Sequence, residues 1–370
     1  MARIGNRMNR ILVVRADRIG DAVLSIPVLE VLRRHFPKSQ ISVLVREPVA
    51  PLIRSLPYVD EVIVYDPAGR HLGLKGFRVL FKELKSKEFQ TAVVLQSQFK
   101  IGLALFLSRI RLRVGPLSSL HSFLFYNRGI RQKRSLVEMH ETDYNLQLLR
   151  RLGIRTLGRV NVPQVFLNEP VRTHAYQWLH ERGWREGARL VVIHPGMGGS
   201  ALNWPETHFQ DLAKSLLEEG IWVVISGGAL DRALVTAFEK LTVSWPQAQR
   251  ERLLFFNSTD SIDYLGGLFS WANVVVAPST GPLHLANALK IPTVSFYPPI
   301  RVQSALRWGP YVSDDTRVGV LVPDVYCGED FKCRGVICNY FPCMKTITVD
   351  QAFEEVMRLS QPKGTVSEGR

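Results

Sequence analysis

The stretch ILVVRADRIGDAVLSIPVLEVLRRHF, residues 11–36, contains the pattern that decides the fold. Its first four residues are all branched and apolar, which is typical of a strand buried on both faces of a parallel sheet. The apolar run from Ala22 to Leu32 predicts the helix that follows. The polar turn between them carries two carboxylates, an arginine and a glycine within positions 17–21. It is expected at the carboxyl end of the strand, where open α/β sheets bind ligands.

The same alternation of strand and helix runs through most of the 370 residues, a length that suggests two domains. It restarts after a connector at Gly153 to Val162, which predicts an α/β protein with two doubly wound parallel sheets. We expect an amino-terminal domain over 1–160, a similar nucleotide-binding domain over 161–345 facing it across a cleft, and a helix with a polar tail over 346–370. Strands are predicted at 11–14, 41–45, 61–65, 91–95, 112–114, 190–193, 222–225, 253–256, 274–277 and 293–296.

One proline interrupts the first predicted helix. Pro27 lacks a backbone N–H group and is tolerated only in the first turn of a helix. The run from Ala22 therefore either has a kinked first turn or contains a helix that begins near Ser25.

The composition, 46% hydrophobic and 22% charged, is that of a globular protein. The longest uncharged apolar runs, such as 101–107, are far shorter than the roughly 20 residues of a transmembrane helix. The basic amino terminus has no secretory signal pattern, because Arg15 ends its apolar run. These features predict a cytoplasmic protein without a transmembrane helix.

The net charge of +14 is carried by the first half of the chain. Residues 1–160 have 28 Lys and Arg against 12 Asp and Glu, or +16, and the remainder has 19 against 21, or −2. No acidic residue occurs from Gln90 to Val137. Such a field attracts an anionic membrane surface or a polyanion, and the alternative is a solvated basic face without a partner. Nucleic acid is disfavoured, because the nearby aromatic residues cluster with leucines rather than alternating with basic residues.

Two turns in the second half have the composition of anion sites. HPGMGGS, residues 194–200, has three glycines in four positions, which lets the backbone approach an anion closely. PSTGPLH, residues 278–284, has the features of a helix start whose free N–H groups and dipole favour an anion. Either turn alone can be structural. Together with the first turn they suit a diphosphate held by one domain and an acceptor held by the other.

Three segments together resemble glycosyltransferase family 9, the ADP-heptose:lipopolysaccharide heptosyltransferases. They are DRIGDAVLSIPVLEVLRRHFP (17–37), HPGMGGSALNWP (194–205) and APSTGPLHLANALKIPTVSFY (277–297). The resemblance implies a GT-B architecture of two Rossmann-like domains. It also implies transfer of a heptose from ADP-heptose to the lipopolysaccharide core, with inversion of the anomeric centre and without a metal or cofactor. The acceptor would be a phosphorylated glycolipid, met at the anionic inner leaflet by a protein peripheral to the inner membrane.

The resemblance also implies roles for the first turn. Asp21 matches the family's aspartate, which is thought to act as general base on the acceptor hydroxyl. Asp17 is the alternative base, and Asp21 can instead be a cap or positioning residue. Asp17, Arg18 and Gly20 are expected to contact the acceptor, Arg18 through a phosphate; the alternative for Arg18 is an ordinary surface arginine.

The donor is assigned to loops of the second half. His284 can neighbour a phosphate or be a packed helix residue, and Asp231 can bind the ribose or simply begin a helix. Trp204 is expected to position the next helix rather than stack on the base. The expected donor-binding residues are Gly196, Gly198, Gly199, Ser200, Gly227, Asp231, Ser279, Thr280, Gly281, Pro282 and His284.

Two positions depart from the better-known members of that family. Leu202 stands in place of a lysine, and Ser279 in place of an aspartate. The lysine's role would then fall to backbone N–H groups or to another cation. The departures leave open a non-catalytic GT-B protein that binds nucleotide sugars or serves as a scaffold. A nicotinamide-dependent oxidoreductase is disfavoured, because Ala16 to Asp21 contains one glycine instead of the GxGxxG pattern.

All four cysteines, Cys327, Cys333, Cys338 and Cys343, lie within 17 positions. Their spacing lacks the tight CxxC pair that structural zinc sites usually contain. Zinc and a disulfide remain alternatives to free thiols.

Overall fold

The computed structural model describes residues 8–155, 162–199, 201–257, 261–329 and 331–361. The chain divides into two compact units, Met1–Phe166 and Leu167–Arg370. The expected boundary at 160/161 and most of the polar tail lie outside the described residues. Each unit contains one six-stranded parallel sheet.

The first unit is built on a sheet with the strand order β3-β2-β1-β4-β5-β6. Its strands are β1 (Arg10–Val14), β2 (Gln40–Val45), β3 (Glu61–Val64), β4 (Thr91–Val94), β5 (Leu112–Pro116) and β6 (Arg128–Ile130). Its helices are α1 (Ile19–Val23), α2 (Ile26–His35), α3 (Ala50–Arg54), α4 (Gly73–Ser86), α5 (Phe99–Leu107), α6 (Leu120–Phe125) and α7 (Glu141–Gln147).

The second unit repeats this topology with the order β12-β11-β10-β7-β8-β9. Its strands are β7 (Leu190–Ile193), β8 (Trp222–Gly227), β9 (Leu253–Asn257), β10 (Val274–Pro278), β11 (Thr293–Phe296) and β12 (Val318–Leu321). Its helices are α8 (Glu169–Glu181), α9 (Glu206–Glu218), α10 (Arg232–Leu241), α11 (Gln247–Arg250), α12 (Ile262–Phe269), α13 (Gly281–Ala288), α14 (Ala305–Trp308) and α15 (Val349–Ser360). The last helix packs against α9, so it belongs to this unit.

Both sheets have their switch point beside their first strand. β1 lies between β2 and β4, and β7 lies between β8 and β10. The crossovers leave in opposite directions from these pairs, which opens a crevice at the carboxyl ends of β1 and β4 and of β7 and β10. All three suspected turns follow one of these four strands.

The first predicted helix is two helices. α1 ends at Val23, and α2 begins at Ile26 with Pro27 in its first turn. Ser25 occupies the break, and its hydroxyl donates to the carbonyl of Ala22 at 2.6 Å. Of the two alternatives, the helix start near Ser25 is confirmed, because that position spares the N–H group that proline lacks.

Candidate active site

The turn after β1 holds a buried cluster of ionised side chains. Arg15, the first residue beyond the strand, is only 3% exposed. Its Nε donates to Oδ1 of Asp17 at 2.8 Å, and its Nη2 pairs with Oδ1 of Asp21. Its Nη1 donates to Oε1 of Glu141 at 3.3 Å and to Oδ1 of Asn145 at 3.1 Å. One guanidinium therefore orients both aspartates of the turn and ties them to α7.

A second arginine completes this cluster. Arg134 Nη1 donates to Oε1 of Glu141 at 2.5 Å, and its Nη2 donates to the carbonyl of Leu95, the residue after β4, at 3.2 Å. Two guanidinium groups thus face three carboxylates, those of Asp17, Asp21 and Glu141. Excess negative charge in a buried site favours retention of a proton by one of the acids.

The pKa values of both aspartates are raised, and burial is the largest cause in each case. Burial raises the pKa of Asp17 to about 6, although Arg15 opposes the shift. Burial also raises the pKa of Asp21 above its ordinary value; Glu141 adds to the rise, while Arg15 and Arg18 oppose it. Desolvation therefore exceeds the stabilisation of the anion by nearby cations. A carboxylate with a raised pKa is a stronger base once it has lost its proton.

The other predicted residues of this turn lie beside Asp21. Arg18 is exposed at the amino terminus of α1, and Gly20 is buried in its first turn. The residues that sequence reasoning missed are Arg15, Arg134 and Glu141. A charged residue directly after a strand buried on both faces was the available signal for Arg15, since burial of such a group requires a partner.

The turn after β7 is tied to the turn after β8 by one aspartate. Asp231 accepts a hydrogen bond from the backbone N–H of Gly228 at 3.0 Å, and its Oδ2 lies 3.7 Å from Nε2 of His194. Nδ1 of His194 lies 3.1 Å from the hydroxyl of Ser226, and burial lowers the pKa of His194 to about 4. The histidine is thus held neutral, and its ring fixes the position of the loop.

The glycines of these two turns are needed for two different reasons, backbone conformation and lack of space. Gly198 and Gly199 have φ values of +60° and +71°, a conformation that favours glycine. A Cβ on Gly196 would lie 2.2 Å from Oδ1 of Asp231, and one on Gly227 would lie 2.6 Å from Cγ2 of Val235. At Gly196 and Gly227 the space that a side chain would need is therefore occupied by neighbouring side chains. Predicted Ser200 lies outside the described residues.

The turn after β10 leads into α13, whose first turn contains Pro282. Thr280 precedes the helix, and its hydroxyl donates to the carbonyl of Pro278 at 3.2 Å instead of capping the helix. Ser279 hydrogen-bonds to the hydroxyl of Tyr297, which donates to the carbonyl of Trp308 at 2.8 Å. His284 is buried in the same helix. Because β7 and β10 are neighbours, this turn and the glycine-rich turn share one end of the second sheet.

Leu202, which stands where the family resemblance leads us to expect a lysine, is hydrogen-bonded to a turn that contains an arginine. The backbone N–H of Leu202 donates to Oε1 of Gln303 at 3.3 Å, which joins it to the 3₁₀ turn Arg301–Gln303 after β11. Arg301 is exposed there. Trp204, two residues beyond Leu202, is buried, stacks on Phe296 at 4.2 Å and donates to the carbonyl of Ile347 at 2.8 Å. Its ring also meets Phe209 of α9 edge-on at 4.8 Å, in agreement with the expectation that it positions the next helix.

The four cysteines are free thiols, and Cys343 is buried while the other three are partly exposed. Burial and the three other thiols raise the pKa of Cys343. The described part of the chain contains no group of three or more His, Cys, Asp or Glu side chains arranged to hold a metal ion. It also contains no helix that is long and apolar enough to cross a membrane.

The sequence profile of glycosyltransferase family 9 (heptosyltransferase) matches residues 77–335. The chain belongs to glycosyltransferase family 9. A protein of Haemophilus influenzae, provisionally named a glycosyltransferase, is 28% identical over 94% of this chain and 96% of its own length. Lipopolysaccharide heptosyltransferase 2 of Salmonella typhimurium is 24% identical over 96% of this chain and 99% of its own length.

Family 9 membership agrees with the fold. The structure of the ADP-heptose lipopolysaccharide heptosyltransferase II of Escherichia coli superposes with a TM-score of 0.73 at 21% identity, covering 95% of this chain and 98% of that one. The predicted α/β fold class with two Rossmann-like parallel sheets, the GT-B architecture, is therefore confirmed.

Proposed function

We propose that this family 9 glycosyltransferase transfers a heptose from ADP-heptose to a phosphorylated glycolipid of the lipopolysaccharide core, with inversion of the anomeric centre. The observation that carries the proposal is the partly buried Asp21, held by Arg15 at the carboxyl end of β1 with a raised pKa. Family membership and the names of the relatives support the heptose and the acceptor class.

In the proposed reaction the first unit supplies the base. The acceptor hydroxyl attacks the anomeric carbon on the face opposite the diphosphate, and its proton passes to Asp21. The bond between the anomeric carbon and the diphosphate oxygen breaks, and its electron pair leaves with ADP. Arg15 keeps the carboxylate oriented, and burial holds its pKa above the ordinary value despite the nearby cations. Arg18, exposed beside Asp21, is the residue we assign to an acceptor phosphate.

The second unit is assigned to the donor. The glycine-rich turn after β7 and the start of α13 would supply N–H groups to the diphosphate, since both lie at the switch point of the sheet. Arg301 is the cation that we assign in place of the absent lysine, because its turn is hydrogen-bonded to Leu202. With these groups the departing diphosphate is stabilised without a divalent ion.

The proposed acceptor places the protein at the inner membrane, peripheral to its cytoplasmic face. The charge of +16 on residues 1–160 supports this location, since anionic lipids attract basic segments. Leu202 and Ser279 favour one competing function, a GT-B protein that binds without catalysing.

A screen of nucleotide sugars, scored by nucleotide release in the presence of purified core glycolipid, tests the proposal. Release with ADP-heptose, unchanged by a chelator and giving the inverted anomer, is the expected result. A loss of activity that magnesium restores would contradict the metal-independent step. Calorimetric heat with a nucleotide sugar but no nucleotide release would favour the non-catalytic binding protein, and no heat with any nucleotide sugar would favour the scaffold.

A further inference from the structure

Helix α6 presents a row of large apolar side chains to solvent. Leu120 is 90% exposed, Phe123 58% and Leu124 65%. Their spacing of three and four residues places them on one side of the helix, while Phe125 on the other side is buried in the unit. The helix contains no charged residue. An apolar row of this kind on a surface helix is a feature of interaction sites.

The apolar surface continues onto helix α5. The ring of Phe99 lies 5.6 Å from that of His121 in α6 and 5.5 Å from that of Phe125, and the ring of Phe106 lies 5.9 Å from Phe125. Phe99, Phe106 and Leu107 are themselves exposed. We call this surface the α5–α6 face, defined by Phe99, Phe106, Leu107, Leu120, Phe123 and Leu124.

Basic residues border the α5–α6 face. A surface groove of about 390 Å³ at the end of α5 is lined by Phe106, Leu107, Arg109, Ile110, Arg111 and Arg113. The guanidinium of Arg113 lies over the ring of Phe106, 5.3 Å from its centroid. Arg109 and Arg111 are exposed. Since residues 90–137 contain no acid, every ionised side chain near this groove in the sequence is a cation.

One of these arginines occupies a position suited to glycine. Arg109 has a φ of +57° just beyond the end of α5, where helices commonly place a glycine because a side chain is unfavourable in this conformation. Glycine is therefore the one replacement at this position that removes the cation and relieves the local strain together.

We propose that the α5–α6 face docks on an anionic lipid bilayer, with its apolar side chains in the interface and its arginines on lipid phosphates. Apolar side chains bordered by cations are the chemistry that binds such surfaces. A symmetric contact with a second copy would bring the same basic border against itself, which disfavours a dimer through this face.

The face is joined to the candidate active site within the first unit. Gln98, the residue before α5, donates from Nε2 to the carbonyl of Ala16 at 3.1 Å, next to Asp17. Ser97 contacts Nε2 of His121 in α6 at 3.1 Å. Docking would therefore bring the turn after β1 close to lipid-anchored molecules. That consequence rests on the proposed function, whereas the docking itself does not.

Vesicle sedimentation tests the proposal with the full chain. The native protein is expected to sediment with vesicles of phosphatidylglycerol and phosphatidylcholine, more weakly in high salt, and little with phosphatidylcholine alone. A triple variant, Leu120→Ser, Phe123→Ser and Leu124→Ser, should lose binding at least tenfold. These side chains are exposed, so folding should be retained. The matched control carries Leu230→Ser, Leu241→Ser and Val243→Ser, three exposed apolar positions of the second unit, and should bind like the native protein.

A second variant tests the contribution of the positive charge to vesicle binding without destabilising the fold. Arg109→Gly removes a cation and relieves the positive φ, so it should weaken binding about fivefold while raising the melting temperature. Native binding by the triple variant would overturn the proposal. The proposal would also be overturned if the native protein were a dimer that did not bind anionic vesicles and the triple variant were a monomer.

Turnover on a core oligosaccharide without its lipid distinguishes docking from the proposed function. The triple variant should turn over this soluble acceptor at the native rate. Absence of turnover by the native protein on both this oligosaccharide and the intact glycolipid, with vesicle binding intact, would reject the proposed function and leave the docking surface in place.

Discussion

Arg15 and Asp21 form a largely buried ion pair in which the cation is shared with Asp17 and Glu141. A guanidinium offers donors in a rigid fork, so this one side chain can hold three carboxylates in a fixed arrangement. The aspartates of the turn are thus oriented by the strand that precedes them. Their position depends on α7, more than 100 residues further along the chain.

Removal of this cation should destabilise the first unit. Arg15→Gln leaves buried carboxylates without their partner, and such losses cost about 3–5 kcal/mol. Urea unfolding monitored by circular dichroism measures the change. Arg18→Gln, at an exposed position three residues further, is the control and should alter stability by less than about 1 kcal/mol. Equal stability of the two variants would show that the cluster does not hold the turn.

Glu141 should set the pH dependence of the reaction through Asp21. A protonated Asp21 cannot accept a proton, so kcat/KM is expected to fall as pH decreases through its pKa. Glu141 raises that pKa by its negative charge, so Glu141→Gln should lower it and move the acidic limb to lower pH. Glu138→Gln, at an exposed position, is the control. A limb that stays in place or moves to higher pH in Glu141→Gln would refute the proposed link.

Position 196 should require glycine because a larger side chain would collide with Asp231, and not because of its backbone conformation. A methyl group at Gly196 would meet Oδ1 of Asp231 at 2.2 Å and displace the carboxylate from the N–H of Gly228. We expect Gly196→Ala to weaken ADP binding about tenfold in calorimetry and to cost about 1–3 kcal/mol of stability. Gly228→Ala, whose Cβ would lie at an ordinary 3.5 Å from Asp231, should change both much less. Indistinguishable ADP affinities would reject the role of Asp231 in shaping this loop.

Arg301 should supply the positive charge for the donor diphosphate. Arg301→Ala is expected to raise the KM for the nucleotide sugar about tenfold, the loss of roughly one charge-assisted hydrogen bond. Adding Leu202→Lys to that variant should restore much of the loss, because the two positions belong to hydrogen-bonded turns. Arg252→Ala, at an exposed position before β9, is the control. An unchanged KM in Arg301→Ala would assign the diphosphate to backbone N–H groups instead.

The parts of the fold that sequence predicted are those with strong local patterns. The ten strands β1 to β5 and β7 to β11 were all predicted, most of them from short runs rich in branched apolar residues. The two missed strands, β6 and β12, each form one of the two edges of their sheet, and they contain Gly129 and Gly319. Short strands with an internal glycine have weak intrinsic preference, so their conformation is imposed by pairing with β5 and β11.

Only those parts of the candidate site that lie within a single turn of the chain could be predicted from the sequence. Asp17 and Asp21 stand within one turn after a buried strand, and their place follows from the strand-to-helix pattern. The contact between Arg15 and Glu141 joins residues 126 positions apart, and nothing in their local sequence specifies it. The balance between desolvation and the nearby charges at Asp21 likewise depends on burial, which only the folded unit defines.

The most direct test of the account is the turnover of Asp21→Asn with ADP-heptose and purified core glycolipid. This change keeps the size of the side chain and an oxygen for Arg15, but removes the base. The account predicts that kcat falls by about 10²- to 10⁴-fold while ADP affinity stays at the native value. Asp324→Asn, an exposed position of the second unit, should turn over normally. Near-native turnover by Asp21→Asn would contradict the assignment of the base.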